Sequence, residues 1–158
     1  MPKTSEAWIG VLLAAVHHLP HAVLVCDMSL SGVPILGVNA AFEQLTGYRL
    51  AECRGRNCRF MQGEGTDEAA IQRIRVAIRS QEACHVTILN YKKDGRPMRI
   101  LLSLKPIFDV NGLCRVMVGS LTEVHDHYTG MKAELRHADR LHKLLPSKLH
   151  VHSGQEAT

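Results

Sequence analysis

The chain lacks a segment long and apolar enough to cross a bilayer. Its run from Trp8 to Val16 falls short of the roughly 20 apolar residues a spanning helix needs. It also has neither the basic start nor the small-residue cleavage site of a secretory signal. Five cysteines, at 26, 53, 58, 84 and 114, are odd in number and include no CxxC pair. That argues against a disulfide framework and a structural zinc, and reads as reduced thiols in a soluble, cytoplasmic protein. The formal charge of +4 comes from basic residues scattered among acidic ones, without the stripe that marks a nucleic-acid surface. No internal repeat or low-complexity segment is present, and no nucleophile–base pair points to an enzyme.

What the sequence does have is the stretch Gly55-Arg56-Asn57-Cys58-Arg59-Phe60-Met61-Gln62, which sets one thiol beside two amides and two guanidiniums. Arg59 is suited to holding phosphate oxygens bidentately. Asn57 and Gln62 can donate and accept hydrogen bonds along a ring edge, and Cys58 is the soft nucleophile of the set. Such a group fits an anionic, planar, heteroaromatic ligand.

Through this octapeptide the chain resembles the light-oxygen-voltage (LOV) photoreceptor domains, a branch of the PAS fold that binds flavin mononucleotide (FMN). Only Met61 departs from the family's motif, in place of a leucine. The resemblance continues upstream through Val38 to Phe42 and Leu45 to Tyr48, then downstream through Gly65 to Asp67, Ile74-Arg75, Leu89 to Gly95 and Leu102 to Pro106. It runs from about residue 21 to 125 without an insertion or deletion, leaving a helical cap at 1–20 and a helix with a flexible tail at 126–158.

The resemblance implies a blue-light sensor. In the family, light drives the sulfur of the cysteine matching Cys58 onto flavin C4a while N5 gains a proton, and the bond breaks again in the dark. A thiol in an apolar pocket stays protonated, so reaction waits for light. Arg59 and Arg75 match the phosphate-binding pair. Asn57, Gln62 and Asn90 match residues that bond the ribityl chain and the pyrimidine edge, and Asn90 is otherwise a poor β-former. Leu24, Cys26, Phe42, Ile74, Ile78, Leu102, Leu104 and Gly119 match the apolar lining.

Two flavin-facing positions depart from the pattern. Ile100 stands where the family usually has a second asparagine, and Leu121 where it has a glutamine. Each lost polar partner removes about 1 kcal/mol of net binding, so the phosphate clamp and ring burial are expected to keep the flavin bound. Leu121 cannot rotate an amide to report N5 protonation, so the signal needs another route. Without an amide beside N5, thermal recovery is expected to be slow.

The patterning predicts an α+β, PAS-type fold: a five-stranded antiparallel sheet with helices on one face and helical extensions at both ends. A helix over 5–19 is capped by Ser5 and stopped by Pro20. Short β-runs at 22–26 and 34–38 flank a turn, and short helices follow at 40–46 and 49–53. A longer helix starts at Thr66 or Asp67 and runs to about Arg79, with Ile71, Ile74 and Ile78 inward. Strands at 84–91, 97–107 and 113–123 are joined by Asp94-Gly95 and Asn111-Gly112 turns. Residues 126–145 form a helix with Met131, Leu135, Ala138, Leu141 and Leu145 on one stripe, ended by Pro146. Beyond it, 147–158 are expected to be largely disordered.

The segment after the sensor domain is too short for a catalytic domain, so a short photoreceptor without its own effector is expected. Its apolar terminal helices both need cover, which points to a homodimer whose association changes with light and to a downstream protein of unknown identity. A flavin-based redox-sensing PAS module and a light-regulated DNA-binding regulator acting through the tail are the alternatives. The tail's five basic residues against four acidic are too balanced for a DNA arm. The ten histidines lack metal-ligand spacing and favour a pH dependence of association instead.

Overall fold

The computed structural model describes residues 3–125 and 130–148. His127, His150 and His152 lie outside them, as do most of the expected flexible tail and the side chain of Met131.

Five strands form one antiparallel sheet in the order β2-β1-β5-β4-β3: β1 Ala22–Asp27, β2 Ile35–Val38, β3 Cys84–Tyr91, β4 Pro97–Phe108 and β5 Cys114–Glu123. The turns at Gly95 and Gly112 have φ of 87° and 81°, the left-handed region that Asp-Gly and Asn-Gly supply. Period-2 alternation sends Ala22, Leu24, Cys26, Val86, Ile88, Ile100, Leu102, Leu104, Met117 and Leu121 into one core. Register aligns Leu24 with Gly119 and Gly119 with Leu104 across three strands. A Cβ on Gly119 would lie 3.4 Å from Leu24 Cγ and 3.5 Å from Leu104 Cδ2, ordinary contact distances, so both leucines flank this position closely.

The wall over that face is built from α2 Ala40–Thr46, α3 Leu50–Cys53, a 3-10 turn at Cys58–Met61 and α4 Glu68–Ser80. Asp67 caps α4 by accepting from the Ala69 N–H at 3.0 Å, which decides between the two starts the sequence allowed.

The terminal helices differ from expectation. Helix α1 runs Lys3–His17, so Ser5 lies inside it rather than capping it; neither Lys3 nor Thr4 stops a helix. It ends before Leu19 because a residue preceding proline is driven out of the helical region. Helix α5 runs Gly130–Leu144. Both helices cover the sheet's opposite face, where Leu12, Val16, Leu141 and Leu145 bury Val23, Val25, Ile107, Val116 and Val118. The sheet is therefore covered on both faces. At Gly37 the approach is closest: a Cβ there would fall 2.3 Å from Leu13 Cδ2, so a larger residue would force the Leu13 side chain of α1 to move aside.

Candidate functional site

Between the helical wall and the sheet lies a two-lobed cavity. The outer lobe measures about 660 Å³ to its open mouth and is bordered by Asn57, Cys58, Arg59, Gln62, Arg75 and Asn90 among apolar side chains. The inner lobe, about 390 Å³, is almost wholly apolar and shares Leu24, Asn57, Cys58, Ile74, Ile78 and Leu102 with the outer one. Mostly apolar walls with a few convergent polar groups are those of a small-molecule site.

The 3-10 turn places the thiol. Asn57 caps it, its Oδ1 accepting from the Arg59 N–H at 2.9 Å, while its Nδ2 donates to the Gly32 carbonyl at 2.7 Å. The Asn57 amide thus ties the turn to the β1–β2 loop and fixes the next residue, Cys58, on the wall of both lobes. Burial pushes the Cys58 thiol above its ordinary pKa, against the pull of its backbone hydrogen bond and of Arg59. Burial also raises Cys26, helped by neighbouring Cys58 and Asp27. Both thiols hold their protons at neutral pH.

The polar groups gather in the outer lobe. Arg59 and Arg75 are exposed residues and border only this lobe. Arg75 also lies 3.7 Å from Glu68 Oε1, a solvated pair that a phosphate could displace at little cost. Arg56 turns the other way, stacking on the Phe60 ring at 4.1 Å, so one of the octapeptide's two guanidiniums faces the site. Asn90 is 6% exposed, borders the outer lobe and makes no side-chain hydrogen bond among the described residues. Its amide therefore reaches the cavity rather than a sealed core, free to bond a ligand or water there.

Of the residues read from the sequence, Leu24, Cys26, Asn57, Cys58, Arg59, Gln62, Ile74, Arg75, Ile78, Asn90, Leu102, Leu104 and Leu121 border the two lobes. Three do not. Ile100 is fully buried on the cavity side of β4 but lies beneath the lining. Gly119 has no side chain to reach past Leu24 and Leu104. Phe42 is fully buried in the core where α2 packs on β1. Missed were Val33, Met61, Ile71, Ile88 and Met117. Ile88 and Met117 stand two residues before Asn90 and Gly119, and so on the same strand face.

The donor set fits a flavin nucleotide: an apolar slot for a planar ring, amides at one edge, a thiol on the wall and two arginines toward solvent.

Residues 20–126 match the PAS domain family. The chain is 37% identical over 146 residues to blue-light-activated histidine kinase 2 of Erythrobacter litoralis, covering 87% of this chain and 42% of that protein. It is 38% identical over 132 residues to phototropin-1A of Oryza sativa, covering 84% of this chain and 14% of that one. The chain thus spans less than half the length of these curated relatives. Among solved structures it resembles the LOV domain from the Erythrobacter litoralis EL346 blue-light activated histidine kinase with a TM-score of 0.66 and 40% identity, covering 69% of this chain and 100% of that one. With the fold, the thiol-bearing cavity and these likenesses together, the chain belongs to the LOV branch of the PAS domain family.

Proposed function

We propose that this chain is a blue-light photoreceptor that binds FMN noncovalently in the dark and uses Cys58 as its light-driven nucleophile. The observation that carries this reading is the placement of a protonated Cys58 thiol on the wall of a cavity whose polar groups suit a flavin nucleotide. When bound, the flavin supplies blue absorption and the C4a carbon to which the Cys58 sulfur adds reversibly. Arg59 and Arg75 hold the phosphate, Asn90 and Gln62 meet the polar edge of the ring, and the leucines and isoleucines exclude water. Asn57, its amide already bonded on both sides, serves chiefly to aim Cys58. Asn90 supports this ligand as well, because its amide borders the cavity and no protein group uses it among the described residues.

In this reading residues 21–125 are the sensor, the flanking segments 1–20 and 126–158 carry the output, and the chain acts as a cytoplasmic sensor rather than an enzyme. Among the described residues no helix is long and apolar enough to cross a membrane. The purified protein should be yellow, bleach under blue light and recover in darkness, with FMN released on denaturation. A colourless protein would overturn flavin binding altogether, and a flavin that changes only with added reductant would favour the redox-sensing alternative.

Leu121 is 3% exposed and borders the cavity, so no amide stands at that position to assist N5 deprotonation. Recovery should therefore be slow, and Leu121→Gln should speed it by about tenfold by placing a hydrogen-bonding amide there that can polarise N5 or orient a water. The light response itself should be unchanged. A response abolished in Leu121→Gln, or parent recovery within seconds, would count against a route that bypasses the amide.

Self-association is the proposed output. Because the sheet's own outer face covers the inner stripes of α1 and α5, what these helices offer a second copy is Val11, 70% exposed, and Leu144, 77% exposed. Size-exclusion chromatography in darkness and under blue light should give different elution volumes; identical volumes would remove a change of assembly state.

A further inference from the structure

The interface between α5 and the sheet contains a row of polar side chains inside an otherwise apolar contact. His85 on β3, Ser103 on β4 and Ser120 on β5 are paired in register across three strands. His85 Nδ1 lies 2.7 Å from Ser103 Oγ, and His85 Nε2 lies 3.3 Å from Asp139 Oδ1 on α5. The His142 ring of α5 stacks on His85, centroids 5.6 Å apart and planes 18° from parallel. Lys105 on β4 donates to the His142 carbonyl and to the Leu145 carbonyl at 2.8 Å, closing the C-terminal end of the helix.

Two buried side-chain atoms lack a hydrogen-bond partner among the described residues, and both are in this region: Ser120 Oγ and His142 Nε2. A neutral imidazole tolerates an empty Nε2 as an unused acceptor. A protonated one carries an N–H there without an acceptor in good hydrogen-bond geometry, and adds a charge beside Lys105.

We propose that the α5–sheet interface is an acid-sensitive latch, in which protonation of His142 against His85 and Lys105 releases α5 from the sheet. The groups facing His142 are His85 from β3, Lys105 and the Ser103 backbone from β4, and Asp139 from its own helix. Burial is the largest influence and, with His85 and Lys105, holds its pKa below the ordinary histidine value; the Ser103 backbone and Asp139 pull the other way. A base that binds its proton less readily when docked leaves docking at full strength above its undocked pKa of roughly 6.5. That stability is lost as the pH falls below this value. Protonation of His85 would strengthen its pair with Asp139, but that pair is half-exposed at 34% and 58% and contributes little. Release would uncover Ile107, Val116 and Val118, which α5 helps bury, and would free the helix that carries Leu144.

Hydrogen exchange read by mass spectrometry on the full chain in darkness tests this without reference to flavin. After correction for intrinsic rates, amides of 135–144 should exchange about tenfold faster near pH 5.5 than near pH 7.5. Peptides from β4 and β5, whose ladders do not involve α5, should keep their protection. His142→Phe keeps a stacked ring but no titrating nitrogen and should flatten the response; His142→Gln serves the same purpose if the first variant does not fold. His125→Gln, at a histidine exposed at the end of β5, should behave as the parent. A flat profile in the parent, or an acid response that survives in a non-titrating His142 variant, overturns the latch.

Discussion

Cys58→Ala is expected to purify as yellow as the parent protein and to lose all light-driven bleaching. The two halves of this outcome rest on different residues. Retention of colour depends on the arginines, the Asn90 and Gln62 amides and the apolar slot, none of which the substitution touches. The thiol borders both lobes rather than filling a closed core, so truncating it should cost only about 1 kcal/mol of stability. Photochemistry depends on one sulfur, and no other group of the octapeptide can form a bond to carbon. Cys26 is the nearest rival, since it borders the inner lobe and senses Cys58 electrostatically. It lies on a strand deep in the sheet, so Cys26→Ala should bleach and recover as the parent does. Bleaching that persists in Cys58→Ala and vanishes in Cys26→Ala would assign the chemistry to the wrong thiol; bleaching that persists in both would mean photoreduction without a sulfur bond.

Much of the site was legible because its signals are local. Cys58 and its neighbours are consecutive, the glycine turns are dipeptides, and the α4 stripe repeats at helical spacing. What the sequence hid depends on contacts between distant segments. The apolar terminal helices looked in need of a partner, yet β1 and β5 are apolar at successive positions, Ala22 to Cys26 and Val116 to Val118. Such strands are buried on both faces, and so they required cover on the side away from the cavity. Helices α1 and α5 supply it. An asparagine directly before a short helical turn is also an N-cap, a second role the octapeptide does not signal: Asn57 caps the turn while bordering both lobes. The rotation of Arg56 onto Phe60 has no sequence signal, because either arginine of the octapeptide satisfies the motif's chemistry.

The loss of the glutamine at Leu121 takes on a different meaning once β5 is seen edge-on. Leu121 borders the cavity, while Ser120, one residue earlier and on the opposite face, is a buried hydroxyl without a partner in the region covered by α5. A shift of β5 by a few tenths of an ångström would change packing in the cavity and hydrogen bonding under the helix together. The strand itself thus offers a mechanical route from site to surface that needs no rotating amide. The same strand is joined along its length to both β1 and β4, and its Val116 and Val118 pack in the cluster that holds Leu141 and Leu145, so such a movement would reach the C-terminal helix.

Asn39→Ala is expected to be the most destabilising single substitution outside the cavity, at about 4 kcal/mol, although Asn39 touches no part of the site. Its side chain is 1% exposed and joins three elements. Oδ1 accepts from the Val23 N–H of β1 at 2.9 Å and from the Phe42 N–H of α2 at 3.0 Å. Nδ2 donates to the Val16 carbonyl of α1 at 2.9 Å and to the His21 carbonyl at 2.7 Å. Alanine removes the α2 cap and takes the Asn39 oxygen from the buried Val23 and Phe42 N–H groups, while the Val16 carbonyl keeps the Leu19 N–H, so the desolvation cost of two amides is left standing instead of one bond's modest net value. For a domain of this size, thermal melting should shift down by about 10 °C. The protein that remains folded should still bleach normally, because the cavity lies on the other side of β1 from the α1 contacts. A melting point within 2 °C or so of the parent's would mean that water replaces the amide at this junction. The fold would then depend on burial alone to hold α1 against the sheet.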